Sequence, residues 1–157
     1  MTGASSVFFD TSVLLPALID MGSSHEAAQR LWDALAAGRL KRASTAWHCC
    51  LEFFAVATRL PEELRLSPED AHVLLTEEVL ARLDVFDLPA AERAPFLEEV
   101  AKTRILGGRV NDAHIASVAQ RAGAGVIVTE NTRDFVRFSS ERLRVMTAAG
   151  LCRELLG

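Results

Sequence analysis

The hydrophobic and polar positions of the chain fall into short apolar runs separated by amphipathic stretches. Val7, Phe8 and Phe9 form an apolar run stopped by Asp10-Thr11-Ser12, the pattern of a buried strand entering a helix over residues 13–18. Pro16 falls near the start of that helix, where its missing N–H costs little. Ser23 and Ser24 can cap a second helix that runs to about Gly38, with Ala27, Leu31, Trp32 and Leu35 on one face. Residues 39–44 read as a weakly patterned strand, and residues 49–60 as an apolar helix ended by Pro61.

Ser67-Pro68-Glu69-Asp70 is a helix start with proline at the first helical position, and the helix it opens runs to about Leu83. Residues 85–88 read as a strand and residues 90–105 as a helix, with Pro95 near its first turn. Gly107-Gly108 then leads to a helix capped by Asp112, and Gly123-Ala124-Gly125 makes a tight connection. A buried strand, Val126–Val128, follows, and after it a polar turn that carries Asn131 and Asp134. Residues 143–146 form a last strand before a helix over Ala148–Leu156. Strands alternating with helices through short connections predict a three-layer α/β/α domain, 1–157, with a central, mostly parallel sheet. No repeat, linker or low-complexity segment interrupts it.

Composition narrows this picture. At 157 residues, 50% hydrophobic and 24% charged, the chain can bury a proper core and carries no mark of disorder. Cys49, Cys50 and Cys152 are an odd set without metal-ligand spacing, and they read as small core residues of a reduced protein. The N-terminal stretch lacks the basic region and apolar run of a signal peptide, so the expected location is cytoplasmic. No apolar stretch reaches the roughly 20 residues of a membrane span. The net charge of −4 argues weakly against nucleic acid, yet it is unevenly spread. From Lys102 onward there are nine Lys/Arg and five Asp/Glu, a local +4 that leaves −8 for the first 101 residues. A basic C-terminal third beside an acidic pocket suits RNA held at a rim around a metal.

Four places along the chain supply that pocket. Asp10 and the Asn131/Asp134 turn follow strands directly, where ligands gather in an open parallel sheet. Asp112 stands at a helix start, and Glu52 sits inside the most apolar helix. Structural roles compete: Asp10 and Asp112 can be plain helix caps, and Asp134 a polar turn residue. Glu52 is harder to dismiss, because Cys49, Cys50, Leu51, Phe53, Phe54, Ala55 and Val56 surround it and a lone buried carboxylate is costly. Carboxylates gathered in one cleft repel unless a cation neutralises them. An all-oxygen set favours Mg2+ or Mn2+, ions suited to phosphodiester cleavage. The four histidines show no metal-ligand spacing, and His114 lies two positions after Asp112, off its helix face. Trp32, Trp47 and the eight phenylalanines read as core. P-loop, dinucleotide-binding and nucleophile-elbow motifs are absent from the sequence.

Phe-Phe-Asp10-Thr-Ser-Val-Leu-Leu, Glu52 in its apolar helix, Asn-Asp112-Ala-His-Ile-Ala and Val-Thr129-Glu-Asn131-Thr-Arg-Asp134-Phe together resemble the successive acidic motifs of a PIN domain. Size and the last two motifs are most similar to VapC-type toxins of prokaryotic toxin–antitoxin pairs. The resemblance implies a Mg2+-dependent endoribonuclease, usually dimeric, held inactive by an antitoxin whose tail occupies the cleft. It places Asp10, Glu52 and Asp112 at the first three acidic positions and as the metal set. The fourth position falls on Asn131 or Asp134, and Thr129 becomes a hydroxyl support. Arg109, Arg133 and Arg137 flank these motifs as candidate phosphate contacts. Phe53 or Phe54 and residues 71–83 supply a candidate homodimer face. Two other readings stay open: a PIN nuclease of RNA processing without a toxin role, and a catalytically silent binding module.

Overall fold

Three runs composed only of buried residues, Val7–Phe9, Ala43–Ala46 and Val126–Val128, become the inner strands of a five-stranded sheet. A strand without a polar face needs cover on both sides. The computed structural model describes residues 6–22 and 25–157. In chain order the elements are β1 (Val7–Phe9), α1 (Thr11–Leu18), α2 (Glu26–Ala36), β2 (Ala43–Ala46), α3 (Trp47–Ala57) and α4 (Pro68–Leu74). A π-helical stretch, Leu75–Val79, joins α4 to α5 (Leu80–Arg82), followed by β3 (Asp84–Phe86), α6 (Ala90–Lys102), α7 (Arg109–Arg121) and β4 (Val126–Val128). The short helix α8 (Thr132–Phe135), a 3-10 turn, β5 (Arg144–Met146) and α9 (Ala148–Leu156) complete the chain.

The strand order is β3-β2-β1-β4-β5, and every pairing is parallel. Helices on both faces give the expected α/β/α layers, with α1 packed on α2 and α2 on α9, and α6 packed on α7. Phe8, Phe9, Leu14, Leu31, Phe53 and Ile127 lie at the centre with no exposed surface. The ring of Phe9 meets that of Trp32 edge to face at 5.6 Å, an arrangement that adds about 0.5–1.5 kcal/mol beyond area burial. Cys49, Cys50 and Cys152 are free and buried, as expected. Among the described residues no helix is long and apolar enough to cross a membrane.

This order positions the site. From β1 the chain steps outward to β2 and β3, then returns to the other side of β1 for β4 and β5. The reversal opens a crevice beyond the carboxyl ends of β1 and β4. Asp10 is the residue after β1 and Thr129 the residue after β4, so both stand in it.

Several sequence expectations need correction. The second strand is Ala43–Ala46, not residues 39–44, and α3 follows it at once, from Trp47 to Ala57 rather than over residues 49–60. The weak pattern had one cause: Ala43, Ser44, Thr45 and Ala46 are all buried, although two of them are polar. Thr45 is accommodated by donating its hydroxyl to the Phe9 carbonyl at 2.7 Å. Helix α6 stops at Lys102, not at residue 105, because Arg104 adopts a left-handed φ of 58°. That end was unreadable because the usual glycine is missing. Pro16 and Pro95 lie inside their helices rather than in the first turn. Ser23 and Ser24, expected as a cap, lie outside the described residues.

Candidate active site

Asp10 occupies the N-cap position of α1, but its side chain makes no capping bond. Its backbone carbonyl accepts from Val13 and Leu14 instead, which frees the carboxylate. Oδ2 accepts from the hydroxyls of Ser12 and Thr129, both at 2.7 Å, so the plain-cap reading fails. Ser12 Oγ lies 3.2 Å from Thr129 Oγ1 and accepts from the Glu130 amide at 2.9 Å. Thr129 Oγ1 accepts from the Asn131 amide at 3.0 Å. The ends of β1 and β4 are thus tied by two hydroxyls that share one carboxylate oxygen. Burial pushes the Asp10 carboxyl up, Ser12 and Thr129 pull it down, and the charge of Glu52 raises it again.

Glu52 reaches the same crevice from α3. Its Oε1 accepts from Thr11 Oγ1 at 2.8 Å, and its Oε2 lies 3.6 Å from His48 Nε2, one helical turn earlier. The His48 contact lowers the Glu52 carboxyl against the effect of burial, with Thr11 helping. Glu52 is not the fully buried charge that the sequence implied. Leu51 and Phe54, 55% and 36% exposed, turn outward, as does Trp47. The apolar circumference of α3 is therefore split between the core and an uncovered face, and Trp47 is no core residue.

Asp112 enters from α7. It lies within the first turn, while the N-cap is Gly108, so the cap reading fails here as well. Burial pushes its carboxyl up to about 6, assisted by the charges of Asp134, Asp10 and Glu52 and opposed by Arg109. The other end of α7 fixes the path into β4. Gly123, with φ 73°, closes the helix as its amide bonds Gln120 and that of Ala124 bonds Ala119, a glycine-terminated C-cap that turns the chain straight into β4.

A cleft of about 210 Å³ is lined by Asp10, Ser12, Glu52, Asp112 and Asn131, among others. Four of the five sequence candidates therefore meet in one place. Asp134 is exposed on α8 and does not wall the cleft; its charge is felt at Asp112. Asn131 holds the N-cap position of α8 without a side-chain cap bond, which leaves its amide available to the cleft. Arg137 packs over the Phe138 ring at 5.5 Å and lines a different groove, so it does not flank the acids as expected. Ser12, Thr11 and His48 were missed. Only the four-residue spacing of His48 and Glu52 signalled such a contact in the sequence.

The donor chemistry suits a hard divalent cation. Ligand atoms of Asp10, Glu52 and Cys49 lie within 4.8 Å of one another, with Asp112 outside this tightest group. Burial pushes the Cys49 thiol up to about 12, which disfavours the thiolate that would coordinate a metal. The carboxylate oxygens remain, the preferred donors of such ions.

Residues 7–140 match the family model of the PIN domain, and the chain belongs to that family. It is 33% identical over 140 residues to Ribonuclease VapC27 of Mycobacterium tuberculosis, covering 89% of this chain and 95% of the relative. Among solved structures, the fold is similar to VapC20 of Mycobacterium tuberculosis, a Sarcin-Ricin loop cleaving toxin, with a TM-score of 0.65 at 18% identity over 87% of this chain and 98% of that one. It is also similar to VapBC2 from Rickettsia felis bound to a promoter DNA fragment, with a TM-score of 0.59 at 20% identity over 88% of this chain and 97% of that one.

Proposed function

We propose that the protein is a cytoplasmic, metal-dependent endoribonuclease of the VapC toxin type, held inactive by a cognate antitoxin. The observation that carries this is the convergence of Asp10, Glu52, Asp112 and Asn131 on one cleft at the sheet's switch point. The relationship to Ribonuclease VapC27 supports RNA as substrate, and the likeness to VapBC2 supports an antitoxin partner. Asp10, Glu52 and Asp112 would hold Mg2+ or Mn2+, which supplies positive charge against the scissile phosphate.

The chain's own residues prepare that site. Ser12 and Thr129 fix the rotamer of Asp10, and Thr11 and His48 fix Glu52. Asn131 offers an amide oxygen in place of a fourth charge, and Asp134 adds negative potential from the rim. Arg109, beside Asp112, is placed to meet an RNA phosphate. The exposed Leu51 and Phe54 on α3, Val73 on α4, which packs against α3, and Leu80 on α5 offer apolar surface suited to a homodimer. Phe53, fully buried, takes no part in it.

The reading is tested by RNA cleavage with purified protein in Mg2+, in excess EDTA, and with Asp10→Asn. Cleavage that needs the metal and the carboxylate is expected; robust cleavage in EDTA would overturn the mechanism.

A further inference from the structure

A second pocket lies farther along the carboxyl edge of the sheet, beyond β3. Its volume is about 350 Å³, and it is lined by Asp87, Leu88, Arg93, Phe96, Leu97 and His114, a size at the lower end for small-molecule sites. It is linked to the acidic cleft by an unbroken chain of contacts. The ring of His114 meets that of His48 at 5.2 Å, and His48 Nε2 lies 3.6 Å from Glu52 Oε2. Whatever occupies this pocket is a close neighbour of whatever sits in the cleft.

The walls match a nucleobase. Phe96 and His114 stand 5.7 Å apart with their planes inclined by 57°, so a flat ring entering beside them stacks on one and meets the edge of the other. Leu97, 61% exposed, offers apolar cover without a partner of its own. Asp87 Oδ1 accepts from the Leu88 amide at 2.8 Å and lies 3.7 Å from His114 Nε2, which leaves acceptor capacity on the carboxylate. Arg93 Nε donates to the Leu88 carbonyl at 3.3 Å, and its terminal nitrogens make no hydrogen bond among the described residues. The adjoining groove carries Glu99 and a Glu92 already paired with Arg121 at 3.3 Å, so among the described residues it offers phosphate no free cation, and the pocket favours a neutral base over the backbone.

Building on the ribonuclease reading, we propose that this pocket holds one unpaired guanine of the RNA substrate, from a nucleotide flanking the scissile bond. Guanine is the base whose Watson–Crick edge pairs two adjacent donors, N1–H and N2–H, with a carbonyl acceptor, O6. Asp87 takes the donors and Arg93 the acceptor. Sequence-specific RNA recognition works in this manner, with unstacked bases laid on aromatic side chains and read along their edges. The acids of the cleft cut; this pocket chooses where.

Two measurements test the proposal separately from the nuclease reading. In the first, GMP, AMP, CMP and UMP are titrated into the protein while the imidazole NMR signals are followed. GMP is expected to shift His114 saturably, with an affinity about tenfold better than the other three and lost in Asp87→Asn, while His72 on α4 stays still. No shift at His114, or equal shifts from all four nucleotides, overturns the guanine site, as does a pocket that takes up a peptide and ignores GMP. In the second, product ends from a randomised single-stranded RNA pool are sequenced. Guanine is expected at one fixed offset from the cut, and Asp87→Asn should relax that preference. GMP binding without any RNA cleavage would sink the nuclease reading and spare the pocket. Cleavage without base preference, and without a GMP shift, would do the reverse.

Discussion

Thr129 Oγ1 donates to Asp10 Oδ2 at 2.7 Å, across 119 residues of sequence. The bond joins the ends of the two strands that flank the switch point, and Ser12 donates to the same oxygen at 2.7 Å. Thr129→Val keeps the shape of a fully buried side chain and removes the hydroxyl. Asp10 then loses a fixed orientation, and the Asn131 amide loses its acceptor. Removing such a support commonly costs about 10- to 100-fold in metal affinity or activity. Calorimetric Mg2+ titration of Thr129→Val and Ser12→Ala should show losses in that range. Wild-type affinity in both would mean that Asp10 needs no such support.

The Asp112 carboxyl, pushed up to about 6 by burial and by the nearby carboxylates of Asp134, Asp10 and Glu52, sets a pH dependence of known sign. Its folded-state value lies above the ordinary aspartate value of 3.8, so the fold favours the protonated form. Metal-free protein should gain stability from this group as pH falls through about 6 toward about 4. The gain is no more than about 1 kcal/mol, because the group is partly solvated. Asp10 shifts in the same direction and Glu52 in the opposite one. The contribution of Asp112 is therefore read as the difference between wild type and Asp112→Asn. Metal binding requires the carboxylate, so Mg2+ affinity should fall over the same interval. Melting curves from pH 7.5 to 5, with and without Mg2+, check both trends. A metal-free pH profile identical in the two proteins would show that burial and the neighbouring carboxylates do not perturb Asp112.

How much of this was legible from sequence depends on the range of the physical signal. The inner strands Val7–Phe9 and Val126–Val128 announce themselves because their burial on both faces leaves no polar position to blur the run. Asp10 and Glu52 stood out because each interrupts an apolar pattern, and Asp112 because it stands at a helix start. Ala43–Ala46 did not, since Ser44 and Thr45 look like turn residues until the Phe9 carbonyl supplies a partner. Ser12 was out of reach for a related reason: its role depends on the end of β4, 117 residues away, and Thr129 was named as a hydroxyl support only through the family resemblance. The end of α6 was hidden by Arg104, which takes a backbone conformation its side chain does not advertise.

Of the three arginines expected to act alike, Arg109, Arg133 and Arg137, the first and last are separated by the structure. Arg109 stands beside Asp112, whereas Arg137 lies over Phe138 and lines another groove. Arg109→Ala should weaken RNA binding across sequences and reduce the salt slope by roughly one unit. Arg137→Ala should leave that slope unchanged. Equal effects of the two substitutions on binding would show that RNA extends beyond the cleft rim.

The outer face of α3 carries Trp47, Leu51 and Phe54 at helical spacing, all exposed. A stripe of this kind on a folded chain marks an interface. Sedimentation should show a dimer at tens of micromolar, and Leu51→Glu should yield a monomer with an unchanged circular dichroism spectrum. A wild-type monomer at that concentration would leave the face for another partner.

The central claim is that the acids form one metal-binding catalytic site, and Asp112→Asn tests it most directly. Asparagine keeps the size of the side chain and removes only its charge, so a structural role predicts little change in either stability or cleavage. A metal site predicts a different pair of results. Without metal the variant should melt at or above wild type, since one repelling charge has gone. With Mg2+ about 100-fold above its Kd, wild type should gain about 2.7 kcal/mol, or roughly 5–10 °C for a chain of this size. The variant should lose most of that rise, together with RNA cleavage. Cleavage at the wild-type rate with the full Mg2+-induced rise in Asp112→Asn would contradict the account.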